Sequence, residues 1–189
     1  MGRVIVISFI TLDGFVTDPD GSDGTPTGGW AFRYGPEVIA GDKFELGPLM
    51  ASGVALLGRN TWEHFSTLWP NRTDDFSTKM NNMSKVVVSH SLTDVSSWSN
   101  SKLLDGDLAD YVRSESRDLI VIGSLSVIRA LQEADLVDEY RLVTFPSVVG
   151  TGGALFPAGA TPQHLQLVSS KQSGPVTLAT FQRESENRS

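Results

Sequence analysis

Asp118-Leu119-Ile120-Val121-Ile122-Gly123-Ser124-Leu125-Ser126-Val127-Ile128-Arg129-Ala130-Leu131 sets the frame for the whole chain. Its first half is a run of branched apolar residues with no polar interruption, the pattern of a strand buried on both faces and therefore of a central, parallel one. At Gly123-Ser124 the period changes. Leu125, Ile128 and Leu131 recur at helical spacing, and Ser124 stands where an N-cap is expected. A central strand ends, the chain turns at a glycine, and a helix begins. The unpaired N–H groups and positive dipole end of such a helix face the space beyond the strand's carboxyl end, where open α/β sheets take their ligands and where a phosphate fits. An ordinary strand–helix joint reads the same way, so this turn alone does not decide between them.

The same logic recurs upstream. Val54-Ala55-Leu56-Leu57 is a short apolar strand running into Gly58-Arg59-Asn60-Thr61-Trp62, a glycine turn with an arginine at a helix start. A guanidinium offers a planar fork of donors suited to phosphate, and Thr61 either caps the helix or donates to the same anion. A third strand, Lys85 to Ser89, ends in Ser89-His90-Ser91. Lys102-Leu103-Leu104 reads as a minor strand, and Asp107 to Glu115 as a short helix with Leu108, Tyr111 and Val112 inward.

The totals limit the rest. The 189 residues suffice for one domain with a substantial core, and 40% hydrophobic with 20% charged residues describes an ordinary globular chain. A net charge of -7 argues against a nucleic-acid partner. The absence of cysteine removes disulfides, thiolate metal sites and a cysteine nucleophile. His64, His90 and His164 are far apart in sequence and form no metal-ligand motif. The apolar N-terminus, Met1 to Ile10, is too short to span a membrane and reads as a first strand, which leaves a cytoplasmic enzyme as the expectation.

After that strand come Leu12-Asp13-Gly14-Phe15-Val16 and a long glycine-rich loop to Pro36. Trp30, Phe32 and Tyr34 alternate in its second half, placed either to cover a core edge or to roof a pocket, with the pocket favoured beside a glycine-rich hinge. Pro36 to Ser52 reads as a broken helix with Asp42, Leu46, Leu49 and Met50 on one face and a kink at Gly47-Pro48. Trp69 to Asp75 reads as a polar connection. Val137 to Phe145 reads as a strand near a sheet edge, Pro146 to Pro157 as a glycine-rich excursion, and Gln163–Lys171 with Val176–Arg183 as an antiparallel hairpin around Ser173-Gly174-Pro175. The expectation is one domain, 1–184, with a frayed tail at 185–189.

In this order the motifs resemble the dihydrofolate reductase superfamily, and within it the C-terminal reductase domain of the bifunctional riboflavin-biosynthesis deaminase-reductase and its stand-alone relatives. The likeness rests on Leu12-Asp13-Gly14 after the first strand, Gly28-Gly29-Trp30, Gly58-Arg59-Asn60-Thr61, the Val137-to-Leu142 strand and the Phe145-to-Gly152 segment. The resemblance implies a three-layer α/β fold, with a mixed, mostly parallel sheet flanked by helices and a C-terminal antiparallel hairpin. It implies NADPH as cofactor, with Gly58, Arg59 and Thr61 on the adenosine-side phosphates and Arg59 on the 2′-phosphate. Ser89 and Ser91 would flank the adenine ribose; Gly123, Ser124, Leu125 and Ser126 would hold the pyrophosphate; Val16 would approach the nicotinamide. A small pterin- or pyrimidine-like substrate would meet Trp30, Tyr34 and Phe65, with Asp13 and Asp42 as candidate proton donors. A homodimer is the association such relatives lead one to expect. Two features depart from the pattern. Dihydrofolate reductases carry Gly-Gly where this chain has Gly123-Ser124, and the early strand offers no lysine, Arg33 and Lys43 being the only cations between it and Arg59, which points away from a phosphorylated substrate. The alternatives are a genuine dihydrofolate reductase, which needs a buried acid, and a coenzyme-binding module that has lost its chemistry.

Overall fold

A computed structural model of the chain describes residues 1–184; the expected frayed tail at 185–189 lies outside them. Eight strands are hydrogen-bonded in one sheet: β1 (Val4–Thr11), β2 (Val54–Gly58), β3 (Ser84–Val88), β4 (Ser101–Leu103), β5 (Leu119–Gly123), β6 (Glu139–Phe145), β7 (Leu165–Ser173) and β8 (Val176–Arg183). Their order is β4-β3-β2-β5-β1-β6-β8-β7. Strands β1 to β5 are mutually parallel along their pairings, whereas β6–β8 and β7–β8 are antiparallel. The helices are α1 (Leu49–Ser52), α2 (Arg59–Leu68), α3 (Asp75–Asn82), α4 (Leu108–Ser114) and α5 (Leu125–Glu133).

The described chain groups into two compact units. The first holds Met1–Ile7 and Glu45–Asp138; the second holds Ser8–Phe44 and the chain from Glu139 onward. In the first, every residue of β2 and most of β5 are buried, as continuous apolar runs demand of central parallel strands. Val127, Ile128 and Leu131 of α5 and Trp62 of α2 are buried at helical spacing. Lys85 is buried in β3 at 1% exposure, and among the described residues no carboxylate pairs with it. Its Nζ donates to the carbonyl oxygens of Asn81 (3.0 Å), Met83 (2.8 Å) and Ser99 (3.0 Å) and lies 4.4 Å from the centre of the Trp98 ring. Burial pushes this ammonium down to about 8.

Glu115, just after α4, has the opposite balance. It accepts from Arg117 Nε (2.9 Å) and Nη2 (2.8 Å) and from the Tyr111 hydroxyl (3.0 Å). The Arg117 fork holds its carboxyl at about 2, below the ordinary 4.5. A folded-state value below the unfolded one contributes stability above that ordinary value and loses it as pH falls toward 2. Glu115→Gln is therefore expected to lower stability by about 1 kcal/mol at neutral pH, the partly exposed Arg117 limiting the effect. It should also flatten the dependence of the urea midpoint on pH across the acid range. An unchanged acid profile would remove the pair from the stability account.

The second unit packs around Trp30, Ala31, Val38, Val143, Phe145, Val176 and Leu178. The Phe145 ring meets Phe9, Trp30 and Tyr34 with centroids 5.3, 5.4 and 5.8 Å away. Strand β6 is not near an edge: it is third from one end of the sheet order. Its polar residues form a buried network instead. Glu139 is 1% exposed, accepts from Arg141 Nε (2.6 Å) and Gln182 Nε2 (2.9 Å), and Arg141 Nη1 donates to Phe44 O (3.0 Å). The hairpin forms as expected, and its outer strand β7 is exposed along nearly its whole length.

Two elements differ from expectation. Pro36 to Ser52 is not a helix: it holds a 3-10 turn at Pro36–Val38 and the single turn α1, with irregular chain between. Gly41 and Gly47 take φ of 74° and 48°, a left-handed backbone that ends any right-handed helix there. The connection before β3 contains α3, started by Asp74, whose carboxylate accepts from Ser77 N at 3.0 Å.

Candidate functional site

In the first unit, β2 and β5 are adjacent and parallel, so their carboxyl ends lie side by side, with Leu57 opposite Gly123. β3 flanks β2 with Val88 opposite Gly58, which brings Ser89 to the same rim. The two glycine turns touch. A Cβ on Gly58 would stand 2.5 Å from Ser124 Oγ, 2.8 Å from Ser124 Cβ and 2.9 Å from Ser124 N; a Cβ on Gly123 would stand 2.8 Å from Thr61 Oγ1. Gly123 also has φ of 131°, and its peptide bond to Ser124 is cis. Thr61 Oγ1 and Ser124 Oγ are 3.3 Å apart and share a hydrogen bond. A side chain at Gly58 would thus meet both the side chain and the backbone of Ser124, and one at Gly123 the Thr61 side chain.

The helices leaving these turns, α2 and α5, start with no side-chain cap and no acidic residue in the first turn. Ser124 holds the N-cap position of α5, but its hydroxyl pairs with Thr61 instead of capping. By contrast α3 and α4 are capped by Asp74 and Asp107 and carry Asp75 and Asp110 in their first turns. The helices at the interlocked turns therefore keep open N–H groups and a positive end without a carboxylate, a state shared among the described helices only by the single turn α1, which follows no sheet strand. That donor set fits phosphate groups. Arg59 stands at the head of α2, about half exposed, in an i,i+4 pair with Glu63 at 3.6 Å. Leu125 is half-buried and Ser126 exposed at the start of α5. Ser89 Oγ accepts from Ser91 N (3.2 Å) and Leu92 N (3.0 Å), fixing the turn after β3, and Ser91 is exposed on that turn. Phe65 is half-buried on α2, with Trp69 and Trp98 edge-on to its ring at 5.7 and 6.3 Å.

The remaining residues singled out belong to the second unit. Trp30 is in its core at 3% exposure, with Nε1 donating to Thr17 O at 3.0 Å; it covers a core edge and does not roof a pocket. Phe32 is exposed on a 3-10 turn with Tyr34, whose hydroxyl donates to Pro146 O (2.9 Å) and lies 3.0 Å from Ser147 Oγ. Val16 is half-buried, its N–H donating to Gly153 O at 2.9 Å. Asp42 is exposed and stands on no helix, so the helical, buried acid expected of a dihydrofolate reductase is not there.

Asp13 is an acceptor. Its carboxylate takes the Thr11 hydroxyl (2.6 Å) and the N–H groups of Val149 (3.0 Å) and Gly150 (2.8 Å). The Thr11 hydrogen bond, joined by the two amides, holds the carboxyl below the ordinary range. A proton donor needs the reverse shift. What Asp13 does is stitch two loops. Leu12 N donates to Ser147 O, Val16 N to Gly153 O and Leu155 N to Gly14 O, and a Cβ on Gly152 would lie 2.6 Å from Thr17 Oγ1. The segment Ser147–Leu155 is therefore laid against Leu12–Thr17. The sequence shows the glycines but not the partner segment, so this clasp went unread.

Among the described residues, no cluster of His, Asp and Glu could hold a metal ion, and no helix is long and apolar enough to cross a membrane.

The eight-stranded, mostly parallel sheet with its antiparallel hairpin defines a dihydrofolate-reductase-like α/β fold. The chain belongs to the family described as the RibD C-terminal domain, a reductase family, whose profile matches residues 3–179. A protein from Shewanella sp. PV-4 named for riboflavin biosynthesis superposes with a TM-score of 0.73 at 23% identity, covering 96% of this chain and 99% of that one. A pyrimidine reductase-like protein from Corynebacterium diphtheriae gives 0.60 at 11% identity, over 98% and 93% of the two chains. RibD from Acinetobacter baumannii gives 0.66 at 16% identity; the match covers 97% of this chain and 58% of RibD. No curated protein sequence matches significantly.

Proposed function

We propose that the protein is an NADPH-dependent reductase of a small pterin- or pyrimidine-like heterocycle, of the riboflavin-biosynthesis type. The observation that carries the reading is the contact between the Gly58 and Gly123 turns, which sets two uncapped helix starts side by side at parallel strand ends. On this reading the N–H groups at the starts of α2 and α5 bind the phosphates of the dinucleotide, with the Thr61 and Ser124 hydroxyls beside them. Arg59 takes the 2′-phosphate, and Ser89 and Ser91 border the ribose. NADPH supplies the hydride, and the chain's contribution is to bind and orient. Membership of a reductase family supports the chemistry, and the names carried by the structural relatives support the substrate class.

The test is a titration of the purified protein with NADPH, followed by its absorbance and protein fluorescence, then by turnover on dihydropterin and pyrimidine-like acceptors. Saturable binding with acceptor-dependent oxidation is expected. Absence of a saturable signal at millimolar coenzyme would end the proposal. One observation favours a second reading, a binding module without chemistry: Asp13 is committed as an acceptor and Asp42 is exposed. Tight binding with no oxidation on any acceptor would select that module.

A further inference from the structure

A cavity of about 310 Å³ opens at the rim of the first unit opposite the glycine turns, lined by Ser84, Lys85, Asn100, Ser101, Lys102 and Arg117 together with the first residues of β2 and β3. Strands β2, β3 and β4 are parallel, so their amino ends cluster there while Gly58 and Val88 lie at the other end. Four residue steps along β2 separate Val54 from Gly58, about 13 Å of strand. The volume lies at the lower end of the range of small-ligand pockets.

The chemistry of this lining is one-sided. It holds three cations and no carboxylate, on a chain whose net charge is -7. Lys85 is the buried wall, its charge met only by three backbone carbonyls and the Trp98 ring. Lys102 has no carboxylate partner among the described residues; its Nζ lies 5.8 Å from the centre of the Tyr111 ring. Arg117 spends Nε and Nη2 on Glu115, and no bond among the described residues engages Nη1. Ser101 Oγ accepts from Trp62 Nε1 at 3.0 Å, which leaves its proton to donate, and Ser84 adds a second hydroxyl. A concentration of positive charge with neutral donors around it raises the local concentration of anions, and charge-assisted hydrogen bonds hold them.

We propose that this cavity is a second anion site, built for a phosphate-sized dianion, either free or as the head of a phosphomonoester. It is separate from the coenzyme reading and does not depend on it. The test is a residue-resolved NMR titration of the ¹⁵N-labelled protein with inorganic phosphate, with phenyl phosphate, and with chloride at matched ionic strength. The expected result is saturating shifts of the Ser84, Asn100, Ser101 and Lys102 amides with either phosphate and none with chloride. Tighter binding of phenyl phosphate identifies the phosphomonoester, and tighter binding of inorganic phosphate identifies the free ion. Lys102→Glu, at an exposed position, should weaken the response by about tenfold or more, the size expected for loss of one charged hydrogen bond; Ser84→Ala should weaken it less. Shifts that do not saturate, that chloride reproduces, or that persist unchanged in Lys102→Glu would overturn the site. Residue resolution keeps it apart from any phosphate held at Gly58 and Gly123.

Discussion

Gly58→Ala is expected to remove coenzyme binding from a protein that still folds. The backbone at Gly58 is extended, φ -78° and ψ 164°, so alanine meets no torsional obstacle there. The obstacle is Ser124, whose Oγ, Cβ and backbone N all stand within 3 Å of the new methyl group. The turn after β2 and the turn after β5 must separate, and the helix starts they aim move with them. Overpacking of this kind costs about 1–3 kcal/mol of stability. Under the proposed function the larger loss is in binding, because the two helix starts would no longer converge on the coenzyme phosphates. Losing two charge-assisted hydrogen bonds, at about 1.5–3 kcal/mol each, corresponds to a rise of at least about 100-fold in Kd. Adding Ser124→Gly removes the Oγ and Cβ from the collision and should return part of the affinity. Wild-type affinity in Gly58→Ala, measured by calorimetry beside a thermal melt, would mean that the interlocked turns are not where the coenzyme sits.

Arg59→Ala is expected to separate the two coenzymes. The guanidinium is about half exposed, and its contact with Glu63 at 3.6 Å is a surface pair of small worth, easily exchanged for a phosphate. If it meets the 2′-phosphate, its removal should raise the Kd of NADPH by about 10- to 100-fold, the range of a hydrogen bond between charged groups. NADH lacks that phosphate and should bind as before. Arg59→Lys keeps the charge and loses the planar fork, so it should fall between the two. Parallel losses for both coenzymes would remove Arg59 from the 2′-phosphate and leave it a helix-surface residue.

The two strand–glycine–helix joints, at Gly58 and at Gly123, were legible in the sequence because their signals are local. Val54–Leu57 and Leu119–Ile122 are uninterrupted apolar runs, each followed by glycine and then by helical spacing, and nothing distant is needed to read them. The hairpin around Gly174-Pro175 was legible for the same reason. Much of what failed is decided by a distant segment. Asp13 looks like a free carboxylate until the amides of Val149 and Gly150 are brought to it. Glu139 and Arg141 look like the wet face of an edge strand until Gln182 and the carbonyl of Phe44 enclose them. Asp42, Leu46, Leu49 and Met50 satisfy helical spacing, but left-handed glycines at 41 and 47 outweigh it. The helix α3 was missed although its signals were local: Asp74 three residues before Ser77, and Phe76 four before Met80, in a stretch whose polarity suggested a connection.

The bare starts of α2 and α5 bear on the protein's persistence as well as its chemistry. A missing acceptor at such a position costs a helix about 1 kcal/mol. Under the proposed function, the phosphates of NADPH become the acceptors that Asp74 and Asp107 provide for α3 and α4. Occupancy then adds to folding stability in proportion to the logarithm of free coenzyme over its Kd. A cell rich in NADPH would hold a long-lived protein, and depletion would hand the same chain to its proteases sooner.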